Sequence, residues 1–100
     1  MKIEFDPAKS ARNAAARGLP FELTRDEFDW NAALVVEDAR RDYGERRFLA
    51  LGPMQGRLHV VCYCIRGEAR RIISFRKANK NEERAYDQAS IEAVGKASDR

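Results

Sequence analysis

The spacing of hydrophobic positions changes along the chain, and each change predicts an element. Ile3-Glu4-Phe5 alternates as a short strand does. Asp6-Pro7 then supplies an N-cap followed by proline at the first helical position. The Ala-rich run Ala8 to Arg17 continues a helix over 7–17, and Gly18 stops it. Pro20-Phe21-Glu22 restarts the chain, and Phe21, Thr24 and Phe28 would share one face of a shorter helix around 21–28. Asn31 to Arg41 carries mixed signals: Ala32-Ala33-Leu34-Val35-Val36 suits a short strand or a helix end. Asp42-Tyr43-Gly44-Glu45 reads as a turn. Three strand-like runs follow, Arg46 to Leu51, Arg57 to Ile65 and Arg70 to Lys77. Gly52-Pro53-Met54-Gln55-Gly56 is the expected hairpin loop and Arg66-Gly67-Glu68-Ala69 a tight turn. Asn79-Lys80-Asn81-Glu82 is a capping-box variant that opens a C-terminal helix to about Val94.

Consecutive hairpins make an antiparallel meander, and helices at both ends of the chain can cover one of its faces. The expected class is α+β: an antiparallel β-meander sheet with N-terminal helices and a C-terminal helix, forming one domain over 1–94. The last residues, 95–100, lack an apolar anchor and are expected to form a disordered tail. Pairing Ile65 with Arg70 places His59 opposite Arg76, Val61 opposite Ser74 and Tyr63 opposite Ile72. One face then carries His59, Tyr63, Arg70, Ser74 and Arg76. The other carries Leu58, Val60, Cys62, Cys64, Ile73 and Phe75 as a dry core.

Composition narrows the function. Of 100 residues, 44 % are hydrophobic and 35 % charged, the balance of a globular domain with a charged surface. No apolar run spans a membrane, and the acidic N-terminal stretch is unlike a signal peptide, so a cytoplasmic protein is expected. Cys62 and Cys64 stand at i and i+2 of a strand, on one face, where they cannot bridge each other; they read as reduced, buried thiols. With two Cys and one His, a four-ligand zinc site cannot be assembled, and no metal or cofactor is expected. The net charge of +3 is unevenly spread. From Arg57 to Lys80 seven Lys/Arg face Glu68 alone, whereas Glu22 to Glu45 has eight acids against three Arg. A basic half beside an acidic half suits a protein that meets phosphate.

No carboxylate pair and no Gly-rich phosphate loop accompanies the basic strands. RNA cleavage without a metal remains: it needs a base for the ribose 2′-hydroxyl, an acid for the leaving oxygen, and cations for the phosphorane. His59 is the natural acid or base. Arg76 is the expected clamp, with Ser74 and Tyr63 donating hydrogen bonds or stacking. Arg46, Arg57, Arg70, Lys77 and Lys80 are candidate RNA or phosphate contacts. A non-catalytic RNA- or protein-binding module is the alternative.

Arg71-Ile72-Ile73-Ser74-Phe75-Arg76-Lys77-Ala78-Asn79-Lys80, followed by Glu82 and Tyr86, resembles the signature of the BrnT family of toxins. Phe5-Asp6-Pro7-Ala8-Lys9, Asn13 to Gly18, Phe21-Glu22, Asp42-Tyr43-Gly44-Glu45-Arg46-Arg47 and Gly56-Arg57 match in the same order. Phe75 and Ala16-Arg17-Gly18 depart from that pattern, which more often has Ala and Lys-His-Gly. The resemblance implies the toxin of a type II toxin–antitoxin pair with a RelE-like fold. It also implies RNA cleavage that inhibits translation. The implied partner is a BrnA-type antitoxin whose DNA-binding domain takes the complex to its operator.

Overall fold

The computed structural model of the chain describes residues 1–98. The elements are β1 (Lys2–Glu4), α1 (Pro7–Arg17), α2 (Leu23–Asp26), a 3-10 turn (Trp30–Ala32), β2 (Leu34–Asp38), β3 (Arg47–Met54), β4 (Arg57–Arg66), β5 (Ala69–Lys77) and α3 (Lys80–Ser98). This is the expected α+β class. The strands form one sheet in the order β1-β5-β4-β3-β2. The meander β2 to β5 is antiparallel, and β1 joins it in parallel, with Ile3 opposite Arg70.

Local chemistry sets the boundaries. Asp6 accepts from the Ala8 N–H (2.9 Å), and Gly18, at φ 70°, closes α1 with its own N–H on the Ala14 carbonyl. The Asn79–Glu82 box closes at both ends. Asn79 Oδ1 accepts from the Glu82 N–H (2.8 Å) and Glu82 Oε1 from the Asn79 N–H (2.9 Å). α3 runs past the expected stop near Val94 to Ser98, and the end of the expected tail, 99–100, lies outside the described residues. The helix expected over 21–28 is only the single turn of α2, because Phe28 leaves it to enter the core. The β3–β4 hairpin loop is shorter than expected. Gly52, Pro53 and Met54 pair as strand, and the turn is Gln55-Gly56 alone, both at positive φ (52° and 75°), the two-residue geometry that matches strand twist.

The main core lies between the sheet and the N-terminal half. Leu19, Phe21 and Phe28 pack on Ala50, Met54, Val61, Tyr63, Ile72 and Phe75. Phe28 meets Trp30 and Phe75 edge-on, at 4.8 and 6.4 Å between ring centres. A smaller core on the opposite face joins Leu51, Val60 and Ala78 to Leu49, Leu58 and Tyr86, and so seats the start of α3. Where β1 ends, Asn13 of α1 takes over the β5 edge. Its Nδ2 donates to the carbonyls of Phe75 (2.9 Å) and Leu19 (2.6 Å), which blunts an otherwise open edge.

The β4–β5 register corrects the sequence reading. Ile65–Arg70 and Tyr63–Ile72 pair as expected, but the ladder shifts between Cys62 and Tyr63. Beyond it Cys62 faces Ser74, Val61 faces Phe75, Val60 faces Arg76 and His59 faces Lys77. Ile73 is the extra residue of a β-bulge. One extra residue reverses the parity of everything after it. Phe75 thereby enters the main core, while Ser74 and Arg76 turn to the other face.

Gly52 touches this core closely. A Cβ there would lie 2.7 Å from the Phe28 ring and 3.2 Å from both Ala33 Cβ and the Asp29 carbonyl oxygen. Gly52→Ala should therefore lower unfolding free energy by about 1–3 kcal/mol, the range for overpacking, measured by urea denaturation; unchanged stability would mean that Phe28 moves freely.

Candidate functional site

The bulge sorts the expected site residues onto two faces. His59 and Tyr63 lie on the face of the main core and are nearly inaccessible, at 3 % and 5 % exposure. The His59 ring packs 5.6 Å from the Phe75 ring, and its Nδ1 lies 2.8 Å from the Arg57 carbonyl oxygen. Burial, the largest influence, lowers its pKa and favours a neutral imidazole. Tyr63 stacks on Phe48 (5.6 Å) and meets Trp30 edge-on (5.4 Å). Arg70 lies on the same face with its guanidinium 3.9 Å from the Trp30 ring centre. Arg46 pairs with Glu37 (2.7 Å) and covers Phe48. Arg57, Lys77 and Lys80 are exposed at separate points of the strand and helix ends. The expected polar face of His59, Tyr63, Arg70, Ser74 and Arg76 is thus not a single surface, because Ile73 divides it.

The face opposite the main core gathers a different set. Paired residues of antiparallel strands share a face, so Cys64 and Arg71, Cys62 and Ser74, Val60 and Arg76, and Asp38 and Arg47 all lie here. The bulge thus brings Arg71 to the side of Arg76, where simple alternation would part them. Ser74 is exposed. Arg76 is about one-third exposed, and its fork closes on Glu82 through two bonds, Nη1 to Oε1 (2.7 Å) and Nη2 to Oε2 (2.8 Å). The capping bond that starts α3 holds the same carboxylate, so the helix start fixes the arginine. That bidentate bond is the main cause of a lowered Glu82 pKa and of a raised Arg76 pKa.

The segment after β2 supplies the remaining charges. Asp38 is buried, and Arg40 grips it with Nε on Oδ1 (2.7 Å) and Nη2 on Oδ2 (2.8 Å). Tyr43 adds its hydroxyl at 3.2 Å, and Arg47 covers the Tyr43 ring at 4.1 Å. Arg40 holds the Asp38 carboxyl down to about 2. The charge of Arg40 also reaches Cys62, Arg76 and Glu82, which makes these groups neighbours. Cys62 and Cys64 are both free and buried, as expected, and burial raises the Cys62 pKa.

Arg40, Arg47, Asp38 and Glu82 were absent from the expected site. Arg47 and Glu82 belong to recognisable motifs, but one reads as a turn and the other as a cap. Among the described residues no three His, Cys, Asp or Glu side chains converge as a metal site, and no helix is long and apolar enough to cross a membrane.

One sheet face of this small α+β domain turns arginines and a serine outward, with Arg76 held by a helix-cap carboxylate. The family described as the ribonuclease toxin, BrnT, of type II toxin–antitoxin systems matches residues 5–82. The chain belongs to that family. No curated protein matches it.

The Asp38 geometry has a consequence for acid stability. A folded-state pKa of about 2, below the model-compound value of 3.8, contributes stability that is complete above about 4 and lost as pH falls toward 2. Arg40→Ala removes the largest cause of the shift, so its acid unfolding midpoint should move to higher pH. Circular dichroism across an acid titration measures this, and an unmoved midpoint would contradict it.

Proposed function

We propose that this chain is a metal-independent endoribonuclease that inhibits translation in the cytoplasm and is neutralised by a BrnA-type antitoxin. In this reading the domain is RelE-like, and the antitoxin carries the toxin–antitoxin complex to operator DNA. The observation that supports it most is the coincidence of the family match over residues 5–82 with an arginine-lined face centred on Arg76.

The chemistry follows from that face. The ribose 2′-hydroxyl gives up its proton to water as its oxygen bonds to phosphorus, the P–O5′ bond breaks, and the leaving 5′-oxygen takes a proton from water, giving a 2′,3′-cyclic phosphate and a free 5′-hydroxyl with no net gain or loss of protons. Negative charge grows on the non-bridging oxygens of the phosphorane. The Arg76 fork meets two such oxygens as it now meets the two of Glu82, and Ser74 beside it donates a further bond. Glu82 acts as a positioning residue: it holds the Arg76 fork in place before the phosphate arrives and yields it to the phosphate oxygens. His59 and Tyr63, sealed in the core, support the strand that carries the site and do not touch RNA. Cations alone meet the phosphorane charge in this reading, without a metal.

One observation favours the second reading, a non-catalytic binding module: Arg76 already has a bidentate partner in Glu82. A single assay separates the two. Purified protein, RNA and EDTA should yield 2′,3′-cyclic phosphate ends, and Arg76→Ala should slow cleavage by about 10²–10³-fold, as loss of one transition-state donor does. His59→Gln, by contrast, should act on stability and leave the cleavage rate per folded molecule within a few-fold. RNA binding without cleavage would establish the binding module. A fully active Arg76→Ala protein would remove Arg76 from the site. Inducible expression should arrest growth, and co-expression of a BrnA-type antitoxin should relieve the arrest.

A further inference from the structure

Beside the Arg76 site, on the same sheet face, lies a cavity of about 190 Å³. Its charged lining is Lys9 from α1, Arg47 from β3, Arg66 from β4 and Arg71 from β5, with Asp6 and Glu45. Four cations against two acids leave it net +2. We propose that this cavity is a second phosphate site that binds a flanking phosphodiester of the RNA strand, an inference that rests on RNA being the substrate of the neighbouring site.

Three observations carry it. First, the cations here are loosely held. Arg47 Nε lies 3.5 Å and Arg66 Nη2 3.9 Å from the one Glu45 carboxylate, and Arg71 Nη1 lies 3.7 Å from Glu4. Elsewhere on the same face the Arg40–Asp38 and Arg76–Glu82 pairs close at 2.7 Å. Asp6 is committed to capping α1. Second, Arg47 Nε is buried and makes no hydrogen bond. A buried donor without an acceptor is costly, and a phosphate oxygen entering the cavity would satisfy it. Third, the bulge places Arg71, Ser74 and Arg76 along one face of β5. Arg71 and Arg76 face Cys64 and Val60 of β4, four residues apart, so their backbones are separated by about 13 Å at the usual rise per strand residue. A single strand of a few nucleotides covers that distance, with one phosphate at each end. A carboxylate from the antitoxin would satisfy the charge but has no reason to continue to Arg76.

The test uses 2′-O-methyl oligonucleotides, which lack the attacking hydroxyl and are not cut. Affinity for the wild-type protein should rise steeply as the oligomer lengthens from a dinucleotide to one that spans both sites. In the Lys9→Ala/Arg71→Gln protein that gain should shrink about tenfold, and the slope of log affinity against log salt should fall by about 1–2. An unchanged length dependence in the variant would overturn the proposal. So would a loss confined to antitoxin affinity, which would assign the cavity to the protein partner. Should the wild type bind and cut no RNA, the ribonuclease reading fails. The cavity is then decided by inorganic phosphate: NMR shifts at the lining residues Arg47, Cys64 and Ile73 that occur in the wild type and vanish in the double variant support a phosphate site, and their absence from the wild type refutes it.

Discussion

Ile73 has no opposite number on β4, and the allocation of residues to the two sheet faces depends on that fact. Strand side chains alternate with period two, so an unbulged β5 would send Arg76 and Ser74 toward the aromatic core and Phe75 to the opposite face. The domain cannot accept that arrangement: the fully buried Phe75 contacts Phe28 and His59, and an unpaired guanidinium cannot replace it there. The bulge reconciles two demands on one strand. Its first half must seat Ile72 under the N-terminal helices. Its second half must seat Phe75 and still present Ser74 and Arg76 on the surface that Arg71 of the first half already faces.

The beginning of α3 is the second point where fold and site use the same atoms. Glu82 caps the helix through its Oε1, and the same carboxylate holds both ends of the Arg76 fork. Tyr86, one turn later, fastens the helix by donating its hydroxyl to the Ala32 carbonyl (2.7 Å). The orientation of Arg76 is therefore fixed by the sheet, the helix cap and, through Tyr86, the segment that leads into β2. On the far side of the site the buried Asp38 orders Arg40 and Tyr43, and Tyr43 in turn seats Arg47. Both carboxylates are spent on fixing the orientation of arginines, Asp38 on Arg40 and Glu82 on Arg76.

Much of the fold was legible in the chain because its signals are local. Asp6-Pro7 with Gly18 bounds α1, Asn79 with Glu82 opens α3, and alternation marks the three long strands. The site was only half legible, for a reason that is not local. Arg76 and Ser74 are recognisable as candidates, but their neighbours depend on the parity of β5, and no turn residue or glycine marks a bulge at Ile73. Plain alternation gives the register correctly from Ile65 to Tyr63 and not beyond it, so it pairs His59 with Arg76, whereas His59 pairs with Lys77 and lies on the reverse face. Arg40 was hidden differently: its role comes from a buried Asp38 at the end of an edge strand, and the ambiguous pattern over 31–41 does not reveal burial.

The occupied fork of Arg76 also changes what affinity means at this site. In the proposed reading an incoming phosphate would not fill a vacancy; it would exchange with the Glu82 carboxylate, and its apparent affinity would be the intrinsic one scaled by the fraction of time the fork is free. A single mononucleotide has to compete with an acid tethered a few ångström away at a high effective concentration. A strand that is anchored elsewhere on the same face competes on equal terms, because its phosphate is tethered too. In the proposed reading such a surface would discriminate by chain length instead of by base, passing over the abundant small phosphates around it and engaging polymers.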